Sequence, residues 1–175
     1  MRRPARLTLI LTTTAAAVAA SLAAASPAGA SGRQEIQIQD RCDPTSFTAA
    51  GIACAPTQHG TVTFAELLAS ATPAIGGHEA WRFTRTSTHI DRGEALHVSD
   101  TGGETHSFTE VVAFGTGIVP PLNNALPPGT PAALPIGDPH FLGSGGTVDV
   151  TGLAPGRHFF QCLIHPWMRT TVDVR

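Results

Sequence analysis

The sequence predicts an all-β protein, a two-sheet Greek-key β-sandwich with one short helix and one long loop. From residue 80 onward, short segments alternate polar and apolar side chains and are separated by Gly, Pro and Asp, as in sandwich strands. A convincing helical pattern occurs only at residues 64–69. Residues 115–145 hold seven prolines and several glycines, so they predict a long surface loop, and loops of that length are often functional.

Residues 1–30 have the features of a cleaved export signal. Three arginines among the first six residues precede a mostly apolar stretch at 7–25, and Ala28-Gly29-Ala30 is a small-residue cleavage motif. A membrane helix is the alternative, but the small residues and Pro27 favour removal. We therefore expect an extracytoplasmic protein, in the periplasm, in the cell envelope or secreted, with no integral membrane segment after cleavage near Ala30.

The remaining 145 of the 175 residues have the length of one ordinary domain. We divide them into an N-terminal extension, 31–79, and a sandwich domain, 80–175, and we expect a monomer. Taking the three arginines of the signal from the 11 basic residues leaves eight against 13 acidic residues, a formal net charge of −5. This charge argues against nucleic acid and anionic membrane surfaces as partners.

The N-terminal extension predicts little regular structure. Polar and apolar residues alternate around Ile36 and Ile38, which predicts at most one short strand. The helix at 64–69 is opened by Thr63 as a possible cap and stopped by Pro73.

The three cysteines predict one disulfide and one unpaired thiol. Cys42 and Cys54 enclose eleven residues, and a bridge there would contribute roughly 2 to 3 kcal/mol to stability by the loop-entropy estimate. Cys162 is then left over. An unpaired thiol in an exported protein is expected to be deeply buried or bound to a metal.

Seven strands are predicted in the sandwich, at residues 79–83, 88–90, 95–99, 107–114, 146–150, 156–161 and 169–174. Successive residues of a strand face opposite sides, so the parity of each strand predicts which side chains point inward. His106, Cys162 and Met168 can all point into the same end of the sandwich on this basis.

The segment from Cys162 to Met168 combines a thiolate, an imidazole and a thioether within seven residues, with His165 between them. A copper ion that cycles between its two oxidation states is suited by two imidazoles, a thiolate and a weak axial thioether. His106, 56 residues before the cysteine at the start of a predicted strand, is the best candidate for the second imidazole. Zinc is one alternative, although it rarely accepts a thioether. A nucleophilic Cys162–His165 pair is another, with poor geometry at a spacing of three residues.

This pattern, Cys-x-x-His-x-x-Met before a last strand and an upstream strand-borne His, resembles the cupredoxin family. The short ligand loop is most similar to amicyanin and its plastocyanin-like relatives, and the resemblance covers about residues 81–175. It implies a type 1 blue-copper protein with one copper ion, Cu⁺ or Cu²⁺, bound by His106, Cys162 and His165 with Met168 as the axial ligand. It also implies electron transport between redox partner proteins rather than enzymatic catalysis.

Two further expectations come from the family. The edge of the C-terminal ligand histidine reaches solvent there and passes the electron, a role that the resemblance assigns to His165. The family commonly has an Asn directly after the upstream ligand, whose side chain braces the cysteine loop, whereas this chain has Ser107. A hydroxyl is shorter than an amide and has fewer donors. The family pattern therefore does not specify the hydrogen bonding around the cysteine or the reduction potential of this chain.

A second function remains possible from the sequence, a non-redox copper carrier or buffer in extracytoplasmic copper homeostasis. A constrained four-ligand site favours electron transfer, whereas carriers more often show exposed Met or His clusters. Met168 is the only methionine after the initiator.

Overall fold

The computed structural model describes residues 33–57 and 60–175. These residues form two β-sheets and three short helices, which confirms the predicted all-β class and the sandwich architecture. The predicted export signal at 1–30 lies outside the described residues. No helix among the described residues has the length and apolar character needed to cross a membrane.

The elements follow one another in this order: β1 (Arg33–Gln39), α1 (Pro44–Ala49), α2 (Phe64–Ser70), β2 (Arg82–Phe83), β3 (Ser87–Ile90), β4 (Ala95–Asp100), β5 (His106–Val111), α3 (Pro120–Asn123), β6 (His140–Leu142), β7 (Thr147–Val150), β8 (Gly156–Gln161) and β9 (Arg169–Val174). One sheet has the order β2-β1-β4-β7 and the other the order β3-β9-β8-β5-β6. The β1–β4 and β3–β9 pairs are parallel, and the remaining pairs are antiparallel.

All seven predicted strands are present, and the last two have the predicted bounds. Two strands are clearly shorter than predicted: β2 begins at Arg82 where the pattern predicted a strand from 79, and β5 ends at Val111 where it predicted a strand to 114. Pro135 lies opposite Val111 and has no N–H with which to extend the β5 ladder. Three short elements were not predicted: β6, α3 and α1, the last of which starts with Asp43 as its cap and Pro44 in its first turn.

The N-terminal segment is part of the sandwich. Strand β1 lies between β2 and β4, and its Ile36 and Ile38 are completely buried in the common core. The predicted disulfide between Cys42 and Cys54 is present. Helix α2 has the predicted Thr63 cap, whose side chain and that of Glu66 satisfy each other's backbone N–H groups. Residues 33–57 and 60–79 therefore help to form the end of the sandwich described below.

Aromatic side chains fill the space between the sheets. Phe108 stacks on Phe160 with ring centroids 4.5 Å apart, and Phe83 meets Phe108 edge-on at 5.2 Å. A smaller cluster of Val111, Ala133 and Leu163 lies under the long loop. That loop is therefore packed on the sheet next to the segment that follows β8.

Candidate metal centre

The connection between β8 and β9 contains three of the four predicted site residues. Cys162 directly follows β8, and Met168 directly precedes β9. The backbone N–H of Cys162 donates to the carbonyl of Met168 at 3.0 Å, and that of Met168 donates to the carbonyl of His165 at 2.9 Å. These two bonds close the connection into a tight loop, the cysteine loop (residues 162–168), so its side chains are fixed relative to the sheet.

His106 is brought to this loop by strand pairing, because β5 lies next to β8. The Nδ1 atom of His106 lies 4.0 Å from the Sγ atom of Cys162, and the Nδ1 atom of His165 lies 3.8 Å from it. The three donor atoms all lie within 4.8 Å of one another. All three side chains are completely buried. Met168 is buried in the same loop, and its role as an axial ligand stays a prediction.

The donor set fits a metal ion that bonds nitrogen and sulfur. Typical bond lengths of about 2.0 Å to nitrogen and about 2.3 Å to sulfur place these atoms about 3.7 Å apart at trigonal angles. The two Nδ1–Sγ distances of 3.8 and 4.0 Å lie close to that value. The His106, Cys162 and His165 side chains could therefore hold one ion with little rearrangement.

The environment of Cys162 favours its thiolate. Burial alone would raise the pKa of the thiol, but the hydrogen bonds and charges of His106 and His165 hold that pKa well below its usual value. The sulfur also accepts the backbone N–H groups of Ser107 at 3.3 Å and of His165 at 3.4 Å. The surroundings thus favour the anionic form of the atom that a soft metal ion would bind, and the two N–H groups orient it.

A buried carboxylate lies behind each histidine. The Nε2 atom of His106 lies 2.9 Å from Oδ2 of Asp40, and that of His165 lies 3.5 Å from Oε2 of Glu104, which is long for a hydrogen bond. The same Glu104 oxygen accepts the indole N–H of Trp81 at 2.5 Å. Burial lowers the pKa of His106, but the bond to Asp40 and the neighbouring thiolate outweigh it, so the net shift is upward.

Asp40 and Glu104 were not predicted as site residues, although side-chain parity marks both of them. Asp40 continues the buried positions of Ile36 and Ile38, and Glu104 lies two residues before His106. A third carboxylate, that of Asp100, is buried beside Asp40 and His106, and burial raises the pKa of this group to about 6. A buried acidic residue needs a charged or hydrogen-bonding partner. An acidic residue at an inward position of the pattern could therefore have pointed to these groups.

Ser107 braces the cysteine loop from β5. Its hydroxyl oxygen accepts the backbone N–H of Leu163 at 2.8 Å and the hydroxyl of Thr109 at 3.0 Å. The side chain is completely buried. The serine at the position of the family's Asn therefore makes a direct hydrogen bond to the residue that follows Cys162.

The long loop from 115 to 145 also holds the cysteine loop. The side-chain amide of Gln161 bonds both the N–H and the carbonyl of Gly115 at 2.9 Å, and the N–H of Ile118 donates to the carbonyl of Leu163 at 2.7 Å. A Cβ atom on Gly117 would lie only 2.0 Å from that carbonyl oxygen. The start of this loop is therefore fitted closely to the segment that carries the thiolate.

The expectation that the edge of His165 reaches solvent is wrong. His165 has no exposed surface, and the rings of Trp167 and Trp81 lie 5.5 and 6.2 Å from its ring. Trp167 is in turn held from outside, because its indole N–H donates to the carbonyl of His78 at 3.3 Å and its ring packs directly on Gly77. The groups that hold Trp167 lie before residue 81, outside the range of the family resemblance.

No protein-family model and no curated protein matches the chain. Among solved structures it is similar to a novel purple cupredoxin from Nitrosopumilus maritimus, with 11% identity over 81% of this chain and 99% of that chain and a TM-score of 0.44. It is also similar to an amicyanin mutant in the reduced Cu(I) form at pH 4 (18% identity) and to another reduced amicyanin mutant (19%), each covering 54% of this chain and 73% of the other with a TM-score of 0.38.

The described residues form a two-sheet β-sandwich, which is the all-β architecture that the sequence predicted. The identities and TM-scores of these similarities are low, and no property of these proteins is assigned to this chain. The chemistry of the centre therefore follows from this chain's own side chains.

Proposed function

We propose that this protein is a mononuclear type 1 copper protein that shuttles single electrons between redox partners outside the cytoplasm. The observation that carries the proposal is the convergence of two histidine Nδ1 atoms, 3.8 and 4.0 Å away, on the buried sulfur of Cys162. His106, Cys162 and His165 are the proposed strong ligands and Met168 the weak axial one, a set that suits both oxidation states of copper.

The residues of the centre restrict its geometry and its access to water. One bound copper ion would supply a one-electron couple between Cu⁺ and Cu²⁺. The backbone bonds that close the cysteine loop and the brace from Ser107 keep the donor atoms in place, and burial of these side chains excludes water. A site that changes little between the two states makes electron exchange fast, because little reorganisation is needed.

The burial of Cys162 also bears on the alternatives. A nucleophilic thiol must be reached by its substrate, and this sulfur has no exposed surface. A carrier must hand its ion to another protein, which completely buried donors oppose. The Cys42–Cys54 disulfide supports the proposed extracytoplasmic location, since disulfides persist in oxidising compartments.

Electron exchange with the proposed redox proteins would take place at Trp167. This side chain is partly exposed, and its ring contacts the ring of His165 edge-on. The covered imidazole therefore has an aromatic neighbour between it and the solvent.

The test is the visible absorption and paramagnetic resonance spectrum of the purified protein with one equivalent of Cu(II). We expect an intense absorption near the red end and a narrow copper hyperfine splitting, both lost in Cys162→Ser while the circular dichroism of the metal-free fold is retained. His89→Gln, a change at an exposed histidine on β3, serves as the control and should match the wild type. A pale wild-type spectrum, or an intensely coloured Cys162→Ser variant, would refute the thiolate site; the pale result would favour the carrier or the thiol hypothesis.

A further inference from the structure

We propose that Asp40 is a positioning residue of this centre, whose buried carboxylate directs His106 toward Cys162 and favours the oxidised ion. The inference rests on the proposed copper function. Asp40 comes from the segment just after β1, 66 residues before His106, and Oδ2 of the carboxylate lies 2.9 Å from Nε2 of the imidazole. Neither side chain has any exposed surface.

The contact determines which nitrogen of His106 is available to a metal. A carboxylate accepts hydrogen bonds and does not donate them, so the hydrogen lies on Nε2. The lone pair of the neutral imidazole is then on Nδ1, the atom that lies 4.0 Å from the sulfur of Cys162. Hydrogen bonds of this kind fix the ring orientation of metal-binding histidines and make the ring a stronger donor.

The carboxylate of Asp40 is itself held in place by the backbone. Its Oδ1 accepts the N–H of Cys42 at 3.0 Å, and its Oδ2 accepts those of Gly103 at 2.9 Å and Glu104 at 3.0 Å. A Cβ atom on Gly103 would lie 2.6 Å from the sulfur of Cys42, so the chain packs there against the disulfide. These three amides hold the carboxylate in an orientation that faces His106, and the disulfide packs against one of them.

The charge of Asp40 acts on the centre from inside the protein. Three backbone N–H groups and the ring of His106 surround the carboxylate, and hydrogen bonds of this kind favour its charged form. A negative charge in a water-excluded site stabilises Cu²⁺ more than Cu⁺, because the attraction scales with the charge of the ion. Glu104 adds a second carboxylate behind His165.

The experiment compares Asp40→Asn with Asp43→Asn. Both variants remove a carboxylate that accepts backbone N–H bonds in the same segment, but Asp43 caps α1 and does not contact the centre. Both are expected to lose stability, so stability does not discriminate between them. The discriminating measurements are the reduction potential of the copper-loaded protein and, in the metal-free protein, the hydrogen exchange of the His106 ring N–H followed by NMR.

We expect Asp40→Asn to shift the Cu(II)/Cu(I) equilibrium at least tenfold toward Cu(I), which raises the potential by about 59 mV or more. The His106 Nε2–H should exchange slowly in the metal-free wild type and at least tenfold faster in this variant. Asp43→Asn should stay within twofold of the wild type in both measurements. An unchanged potential in a folded Asp40→Asn variant would overturn the inference.

If Asp40→Asn does not fold, hydrogen exchange in the metal-free wild type still tests the role of Asp40. A His106 Nε2–H that is not protected from exchange there would overturn the inference. The exchange measurement also separates this inference from the proposed function. A protein that binds no blue copper but protects the His106 ring N–H refutes the function and retains the contact. A blue wild type with an unprotected ring N–H refutes the role of Asp40 alone.

Discussion

Replacing Ser107 by alanine would remove the hydroxyl that joins β5 to the cysteine loop. The oxygen accepts the N–H of Leu163 at 2.8 Å and the hydroxyl of Thr109 at 3.0 Å, and all three residues are buried. Alanine fits the same space, since it lacks only the oxygen. The effect of the substitution is therefore the loss of the hydrogen bonds and not a steric change.

The magnitude follows from the groups left without partners. A buried N–H that loses its acceptor costs about 1 to 3 kcal/mol, whereas the Thr109 hydroxyl can rotate in search of another acceptor. We expect Ser107→Ala to lower the free energy of unfolding by about 2 kcal/mol. The copper-loaded variant should also show a changed visible spectrum, because Leu163 directly follows Cys162.

Urea unfolding of the metal-free protein, followed by tryptophan fluorescence and extrapolated linearly to water, measures this loss. The matched control is Thr109→Val, which removes the donor to Ser107 but leaves the bond to Leu163 intact. It should cost about 1 kcal/mol or less. Equal losses in the two variants, or a Ser107→Ala protein as stable as the wild type, would refute the role of the hydroxyl as the brace of the loop.

Two further predictions concern stability away from the donor atoms. The Cys42→Ala/Cys54→Ala protein should lose about 3 kcal/mol in urea unfolding, because the bridge closes a loop with a sequence separation of 12; wild-type stability would contradict the estimate. Burial lowers the pKa of His158, but the bonds of its ring to Glu110 at 2.6 Å and to the Ala154 carbonyl at 2.7 Å outweigh this, and the net shift is upward. The stabilisation by these two bonds is complete below about pH 6.5 and is lost as the pH rises through the raised pKa of His158. Glu110→Gln should therefore flatten the fall in the free energy of unfolding above about pH 6.5. If the stability of the variant and of the wild type changed with pH in parallel, the result would count against the His158–Glu110 ion pair.

The cysteine loop was predictable because its information is local. Strands β8 and β9 have the predicted bounds, so their ends place Cys162 and Met168 at the two ends of a short connection with His165 between them. His106 could be added because it begins the neighbouring strand. The structure confirms that the side chains of Cys162, His165 and His106 come together, and their role as copper ligands remains a prediction.

The carboxylates behind the histidines were harder to predict because their contacts are distant in sequence. Asp40 reaches His106 through the parallel pairing of β1 with β4, which brings together residues about 60 positions apart. No local pattern specifies that pairing. The alternation that buries Ile36 and Ile38 did extend to Asp40, but an inward acid shows only that a partner is needed and does not identify it.

The cover over His165 was mispredicted for a related reason. The resemblance begins at about residue 81, whereas the groups that hold Trp167 from outside are Gly77 and the carbonyl of His78. These residues precede β2, and their position depends on how the chain returns from α2. A family pattern cannot place a segment that lies outside it.

The complete burial of the donor atoms has a kinetic consequence. An ion that approaches Cys162 past His165 has to displace the cover formed by Trp167 and the chain at Gly77. The rates of metal uptake and release are then set by the free energy of this local opening as well as by the affinity of the ligands. Such a protein would bind an ion slowly and, once loaded, would release it slowly even when external chelators compete for it.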